Sequence, residues 1–106
     1  MLSDSDRKIY ETFARRVRER FPNARVLAFG SRARGDAQED SDFDTCVILD
    51  ELTSEMEDEI RHISWEVAFD NETVFNTLLF SRREFEEGPL SESTIVANIL
   101  REGIPA

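Results

Sequence analysis

Apolar residues recur every four positions near the start of the chain: Ile9, Phe13 and Val17, with Tyr10 and Ala14 beside them. That period predicts a helix with one buried face. Ser3, Asp4, Ser5 and Asp6 supply cap candidates and early negative charge. Arg15, Arg16, Arg18 and Arg20 fill the polar side towards the C-terminal end, and Pro22-Asn23 stops the helix. The pattern then changes. Arg25 to Phe29 is a short, mostly apolar run ending at Gly30, which reads as a strand covered on both faces. Ser31 to Ser41 is polar and reads as a loop, with room for one helical turn after Gly30-Ser31. Asp42 to Leu49 reads as a second strand. Its alternation puts Phe43, Thr45, Val47 and Leu49 on one face and Asp42, Asp44, Cys46 and Ile48 on the other.

Helical periodicity returns at Ser54, where Glu57 three residues on suggests a capping box. Met56, Ile60, Ile63 and Val67 form the buried stripe, Trp65 and Phe69 are expected to widen it, and Asn71 is the stop. Val74 to Phe80 is a third strand. Ser81 to Glu87 is acidic, with space for one helical turn, and Gly88-Pro89 breaks it. Ser91 is the expected cap of a last helix whose apolar side is Ile95, Val96, Ile99 and Leu100, and Gly103 ends it. That side is expected to be core, with part of it open to a partner. The order α-β-loop-β-α-β-α implies an α/β (α+β) domain with a small sheet, expected to run as one unit over residues 1–106.

Composition narrows the function classes. A 106-residue chain supports one core, so any active site is expected to be an open groove that a second chain could complete. The formal charge of −10 argues against DNA or RNA as a general partner, because phosphate backbones need a basic face. Twelve Arg and one Lys beside 23 acids suit a salt-rich setting in which self-repulsion is screened. No apolar run approaches the ~18 residues of a membrane span, and Met1-Leu2-Ser3-Asp4 carries no basic-then-apolar signal, so a cytoplasmic location is expected. The single Cys46 forbids an internal disulfide and is expected in the core.

One stretch carries chemistry: Gly30-Ser31-Arg32-Ala33-Arg34-Gly35, then Asp42-Phe43-Asp44. A strand that ends at glycine lets backbone approach a ligand closely. A serine hydroxyl and the free N–H groups of a following helical turn suit a phosphate. Asp42 and Asp44, spaced i, i+2 on a strand, point to one face about 6–7 Å apart. Two such carboxylates repel unless a cation joins them, and Mg²⁺ takes one or two carboxylates plus substrate phosphates. A phosphate cradle beside an acidic pair is equipment for phosphoryl or nucleotidyl transfer.

This stretch resembles the signature of the DNA polymerase β-like nucleotidyltransferases: Gly-Ser, a spacer, then Asp-x-Asp. The fuller Gly-Ser-Arg-Ala-Arg-Gly…Ser-Asp-Phe-Asp, with the ending Asn98-Ile99-Leu100-Arg101-Glu102-Gly103-Ile104, is similar to the minimal nucleotidyltransferase (MNT) branch. Six fixed residues at that spacing arise by chance at roughly 10⁻⁷ per window. The resemblance implies a small mixed sheet of three or four strands flanked by helices. It implies that Gly30 and Ser31 hold the triphosphate of an NTP, with ATP the expected one, and that Arg34 orients the loop or touches phosphate. It also implies that Asp42 and Asp44 are catalytic and ligate two Mg²⁺ ions. The reaction implied moves a nucleoside monophosphate to a hydroxyl. The implied partner is a small helical HEPN-type toxin that the MNT protein neutralises as antitoxin; a homo-oligomer stays open.

One departure stands out. Active relatives usually carry a third carboxylate on the next strand, and here that position falls at Asn76. Glu72 shares its strand parity but lies four residues earlier, so it substitutes only if the strand starts late and bends. A second reading follows: a fold that has lost turnover and neutralises its partner by contact alone. Elsewhere ordinary roles are expected. Arg32, Asp36, Glu39 and Asp40 read as solvated loop, His62 as a surface residue, and Trp65 and Phe69 as core.

Overall fold

A computed structural model describes residues 1–38, 40–88 and 91–106. The chain runs α1 (Asp4–Arg20), β1 (Arg25–Phe29), α2 (Gly30–Arg34), β2 (Phe43–Leu49), α3 (Ser54–Asp70), β3 (Phe75–Ser81), α4 (Arg82–Glu87), α5 (Thr94–Glu102) and β4 (Ile104–Pro105). The four strands form one mixed sheet in the order β3-β2-β1-β4. β1 pairs antiparallel with β2 and with β4, whereas β2 and β3 are parallel, joined by the α3 crossover.

The alternation along β2 divides the core as its sequence predicts. Phe43, Val47 and Leu49 pack with Tyr10, Phe13 and Val17 of α1 and with Ile60, Ile63 and Val67 of α3. Cys46 and Ile48 pack on the other face with Phe80, Phe85 of α4, and Val96 and Ile99 of α5. The sheet is thus the middle of three layers, and β2 is buried along almost its whole length. Within the first layer three hydroxyls satisfy one another: Thr77 Oγ1 lies 3.0 Å from Thr45 Oγ1 and 2.8 Å from Ser64 Oγ. Tyr10 ties α1 to the sheet by donating its hydroxyl to the carbonyls of Val26 (3.1 Å) and Ile104 (2.6 Å).

Several local expectations need correction. The cap of α3 is Thr53, whose extended backbone aims its hydroxyl at the Met56 N–H, so Ser54 is the first helical residue and the capping box expected there is absent. A capping box forms instead between Ser81 and Glu84 at the start of α4. α5 is capped by Ser93 accepting from Val96 N–H, not by Ser91. Trp65 and Phe69 do not widen the core: they are 62% and 69% exposed and stack on each other at 5.3 Å. Ile60, Ile63 and Val67 already fill the seam with the sheet, which leaves those two on the flank of α3. On α5 only Val96 and Ile99 are buried, and Ile95 and Leu100 face solvent. β4 is an addition the periodicity of the chain did not announce. The expected loop residue Glu39 and the breaker Pro89 lie outside the described residues.

Candidate active site

The corner between β1 and α2 sets the geometry. β1 ends at Phe29, and Gly30 turns the chain with φ +76°, a conformation L side chains rarely adopt. A Cβ at Gly30 would overlap the Oδ2 of Asp44, so the missing side chain is what lets the carboxylate sit against this backbone. α2 then runs for one turn and closes on Gly35, at φ +86°, whose N–H returns to the Ser31 carbonyl at 2.9 Å.

Asp44 sits one residue inside β2, registered between Phe29 of β1 and Asn76 of β3. Asn76 donates from Nδ2 to Asp44 Oδ1 at 3.3 Å. Partial burial pushes the Asp44 carboxyl above its ordinary pKa; the Asn76 hydrogen bond opposes this, the charge of Asp42 adds to it, and Arg34 opposes it. Asp42 is exposed and lies just before the strand, with the backbone on both sides of it held: the Ser41 carbonyl accepts from Arg32, and the Phe43 N–H donates to Val74 O at 2.7 Å. Among the described residues neither aspartate is in an ion pair. The structure therefore gathers Gly30, Ser31, Asp42, Asp44 and Asn76 at one end of the sheet.

The donor chemistry fits a hard cation. Two carboxylates, one held against a glycine backbone, offer the oxygen ligands that Mg²⁺ takes. Among the described residues no group of three His, Cys, Asp or Glu side chains converges. Asn76, the position at which the resemblance leads one to expect a third carboxylate, carries a neutral amide and stands directly beside Asp44 in the β2–β3 ladder. Glu72 does not replace it. β3 begins at Phe75, and Glu72 occupies the preceding turn at φ +51°, its N–H bonded to Phe69 O.

Arg34 is exposed and forked between two carboxylates, Asp36 (3.1 Å) and Glu102 at the end of α5 (3.1 Å). It braces α2 against α5. Arg32 corrects the sequence reading more sharply. It is no solvated loop residue: it is paired to Asp6 at 2.8 Å, with the two side chains only 13% and 11% exposed. Its only legible signal was the pairing of a basic residue in the motif with an acid in the first turn of α1, which are 26 positions apart in the chain. A groove of about 380 Å³ between α3 and β3, lined by Trp65, Phe69, Val74 and Phe75, lies on the opposite face of β3 from Asn76 and takes no part in this corner.

Residues 10–100 match the nucleotidyltransferase domain family, and the chain belongs to that family. Two solved structures share its fold. A toxin–antitoxin complex with AMP-PNP superposes with a TM-score of 0.62 at 16% identity, over 91% of this chain and 70% of that one. A MntA–HpeT toxin–antitoxin complex carrying two aspartate-to-glutamate substitutions gives 0.60 at 13% identity, over the same shares. No characterised protein matched the chain by sequence. No helix among the described residues is long and apolar enough to cross a membrane.

Proposed function

We propose that this protein binds Mg²⁺ with an NTP, ATP being the expected one, at the Gly30–Asp44 corner, and transfers the nucleoside monophosphate to a hydroxyl on a protein partner. The observation that carries the reading is the contact between a positive-φ glycine and the Asp44 carboxylate, with Asp42 beside it. Gly30 and Ser31 supply backbone and hydroxyl groups for the phosphates. Asp42 and Asp44 hold the divalent ions, which when bound activate the attacking oxygen and neutralise the leaving group. Arg34 keeps α2 in place through Asp36 and Glu102. In the transfer the acceptor oxygen bonds to the α-phosphorus, the bond to pyrophosphate breaks, and the hydroxyl proton is released. The partner we favour is a small helical HEPN-like toxin, with this chain as its cytoplasmic antitoxin; that two proteins of the same fold are components of toxin–antitoxin complexes supports this reading.

Asn76 favours a second reading. With a neutral amide in place of a third carboxylate, the acceptor hydroxyl lacks its nearest base, and a protein that binds nucleotide without turnover would act on its partner by contact alone.

The test is a melting experiment followed by labelling. Mg²⁺ with ATP should raise the melting temperature through ligand linkage, and Asp42→Asn with Asp44→Asn should abolish the rise. If the double variant responds as the wild type does, the site assignment fails. Labelling of a co-expressed helical partner from α-labelled ATP by the wild type would establish transfer. Labelling by Asn76→Asp alone would establish the second reading.

A further inference from the structure

Arg32 stands two residues past Gly30, inside α2, yet its guanidinium reaches across to the start of β2. Nε and Nη2 both donate to the Ser41 carbonyl, at 3.0 and 2.7 Å. Nη1 donates to Asp6 Oδ1 at 2.8 Å, and the guanidinium carbon lies 5.6 Å from the centroid of the Phe43 ring. One planar group thus touches the residues before and after Asp42 and anchors them to α1.

Asp42 needs such a hold. It precedes the first residue of β2, so no ladder bond of its own fixes it. The described residues just behind it make local turns: Ser41 N–H to Gln38 O at 3.1 Å, and Gln38 N–H to Ser41 Oγ at 2.9 Å. Asp44, in contrast, is locked between two strands. The separation of the two carboxylates therefore depends on where residue 41 is pinned.

We infer that Arg32 is a positioning residue for the divalent-ion site: by forking onto Ser41, with Asp6 holding the other side of its guanidinium, it sets the place of Asp42 relative to Asp44 and to the Gly30 corner. The inference rests on the reading of Asp42 and Asp44 as ion ligands. The planar fork matters more than the charge. A guanidinium can bind a carbonyl through two N–H groups and a carboxylate through a third, a geometry an ammonium cannot reproduce. Asp6 pairs with the guanidinium, and Arg32 reaches the backbone beside Asp42 through its hydrogen bonds to the Ser41 carbonyl.

Two variants of the full chain test this. Arg32→Lys keeps the charge and removes the fork. Arg32→Gln with Asp6→Asn removes both charges of that ion pair together. Mn²⁺ titrated in the presence of ATP reads the site, and amide hydrogen exchange at Ser41 and Phe43, whose N–H groups are bonded to Gln38 O and Val74 O, against Val47 as an internal reference, reads the hold itself. In both variants Mn²⁺ affinity should fall about 10-fold or more, the usual cost of losing a group that orients a metal ligand. Exchange at Ser41 and Phe43 should quicken while Val47 is unchanged. Folded variants with wild-type Mn²⁺ affinity, or with wild-type exchange at residues 41 and 43, would overturn the inference. Failure of the wild type itself to bind Mn²⁺ with ATP would overturn the functional reading instead, and the exchange data would then decide the role of Arg32 alone.

Discussion

Asn76 and Asp44 face each other across the parallel β2–β3 ladder, 3.3 Å apart through the amide nitrogen and Oδ1. That pairing stabilises the Asp44 carboxylate, which already feels the charge of Asp42 and would be repelled by a further one at position 76. Asn76→Asp should therefore act in opposite directions with and without metal. In EDTA, like charges directly opposed should cost roughly 0.2–1 kcal/mol, read as a fall in Tm. In Mg²⁺ with ATP the added carboxylate should make the ligand-induced rise in Tm larger than in the wild type. Differential scanning fluorimetry under both conditions checks it, and an equal shift in each would refute the assignment of position 76.

Gly30→Ala places a Cβ where Asp44 Oδ2 now sits, on a backbone at φ +76°. The left-handed conformation alone costs about 1–2 kcal/mol for a non-glycine residue. The variant should unfold at lower urea concentration, and its Mg²⁺–ATP response should vanish even where it is folded.

Tyr10 gives the protein an alkaline limit. Burial pushes its phenol well above the ordinary tyrosine value, outweighing the nearby Arg18 charge. The native state keeps the proton while the unfolded state releases it near pH ~10, so stability is full below that pH and falls as pH rises through it. Tyr10→Phe should flatten this limb in chemical denaturation. Near neutral pH it should cost about 1 kcal/mol, for the lost bonds to Val26 and Ile104.

The Cys46 thiol, fully buried in β2, is pushed up to about 12 by burial. Iodoacetamide at pH 8 should leave the native protein unmodified and label it rapidly in guanidinium. Mass spectrometry of the two samples checks this, and native-state labelling would place Cys46 outside the core.

With 23 acids against 13 bases, net repulsion opposes the compact state. Added KCl should screen it and raise Tm across the low-salt range. A maximum of stability at the lowest salt would show that the surface ion pairs outweigh the repulsion.

The pattern of polar and apolar positions was enough to place both faces of β2, the three main strands and the three longer helices, because each is long enough for its period to show. Motif spacing singled out Gly30, Ser31, Asp42 and Asp44, and the family resemblance pointed to Asn76, which the β2–β3 register sets opposite Asp44. What it could not show depends on contacts between segments distant in the chain. Arg32 reads as loop until Asp6 and Ser41 are brought to it by the fold. Trp65 and Phe69 have the composition of core, yet only the packing of Ile60, Ile63 and Val67 reveals that the seam is already full. The caps moved by one or two positions because several hydroxyl-bearing residues stand together at Thr53-Ser54 and Ser91–Ser93, and only backbone direction selects between them.

Trp65 is the single tryptophan of the chain, and it stands outside the core on top of Phe69. The protein therefore carries a built-in optical probe of its α3 flank. Indole emission should be red-shifted and open to iodide quenching in the isolated protein, nearly silent on melting of the interior, and should move to the blue whenever another molecule covers that flank.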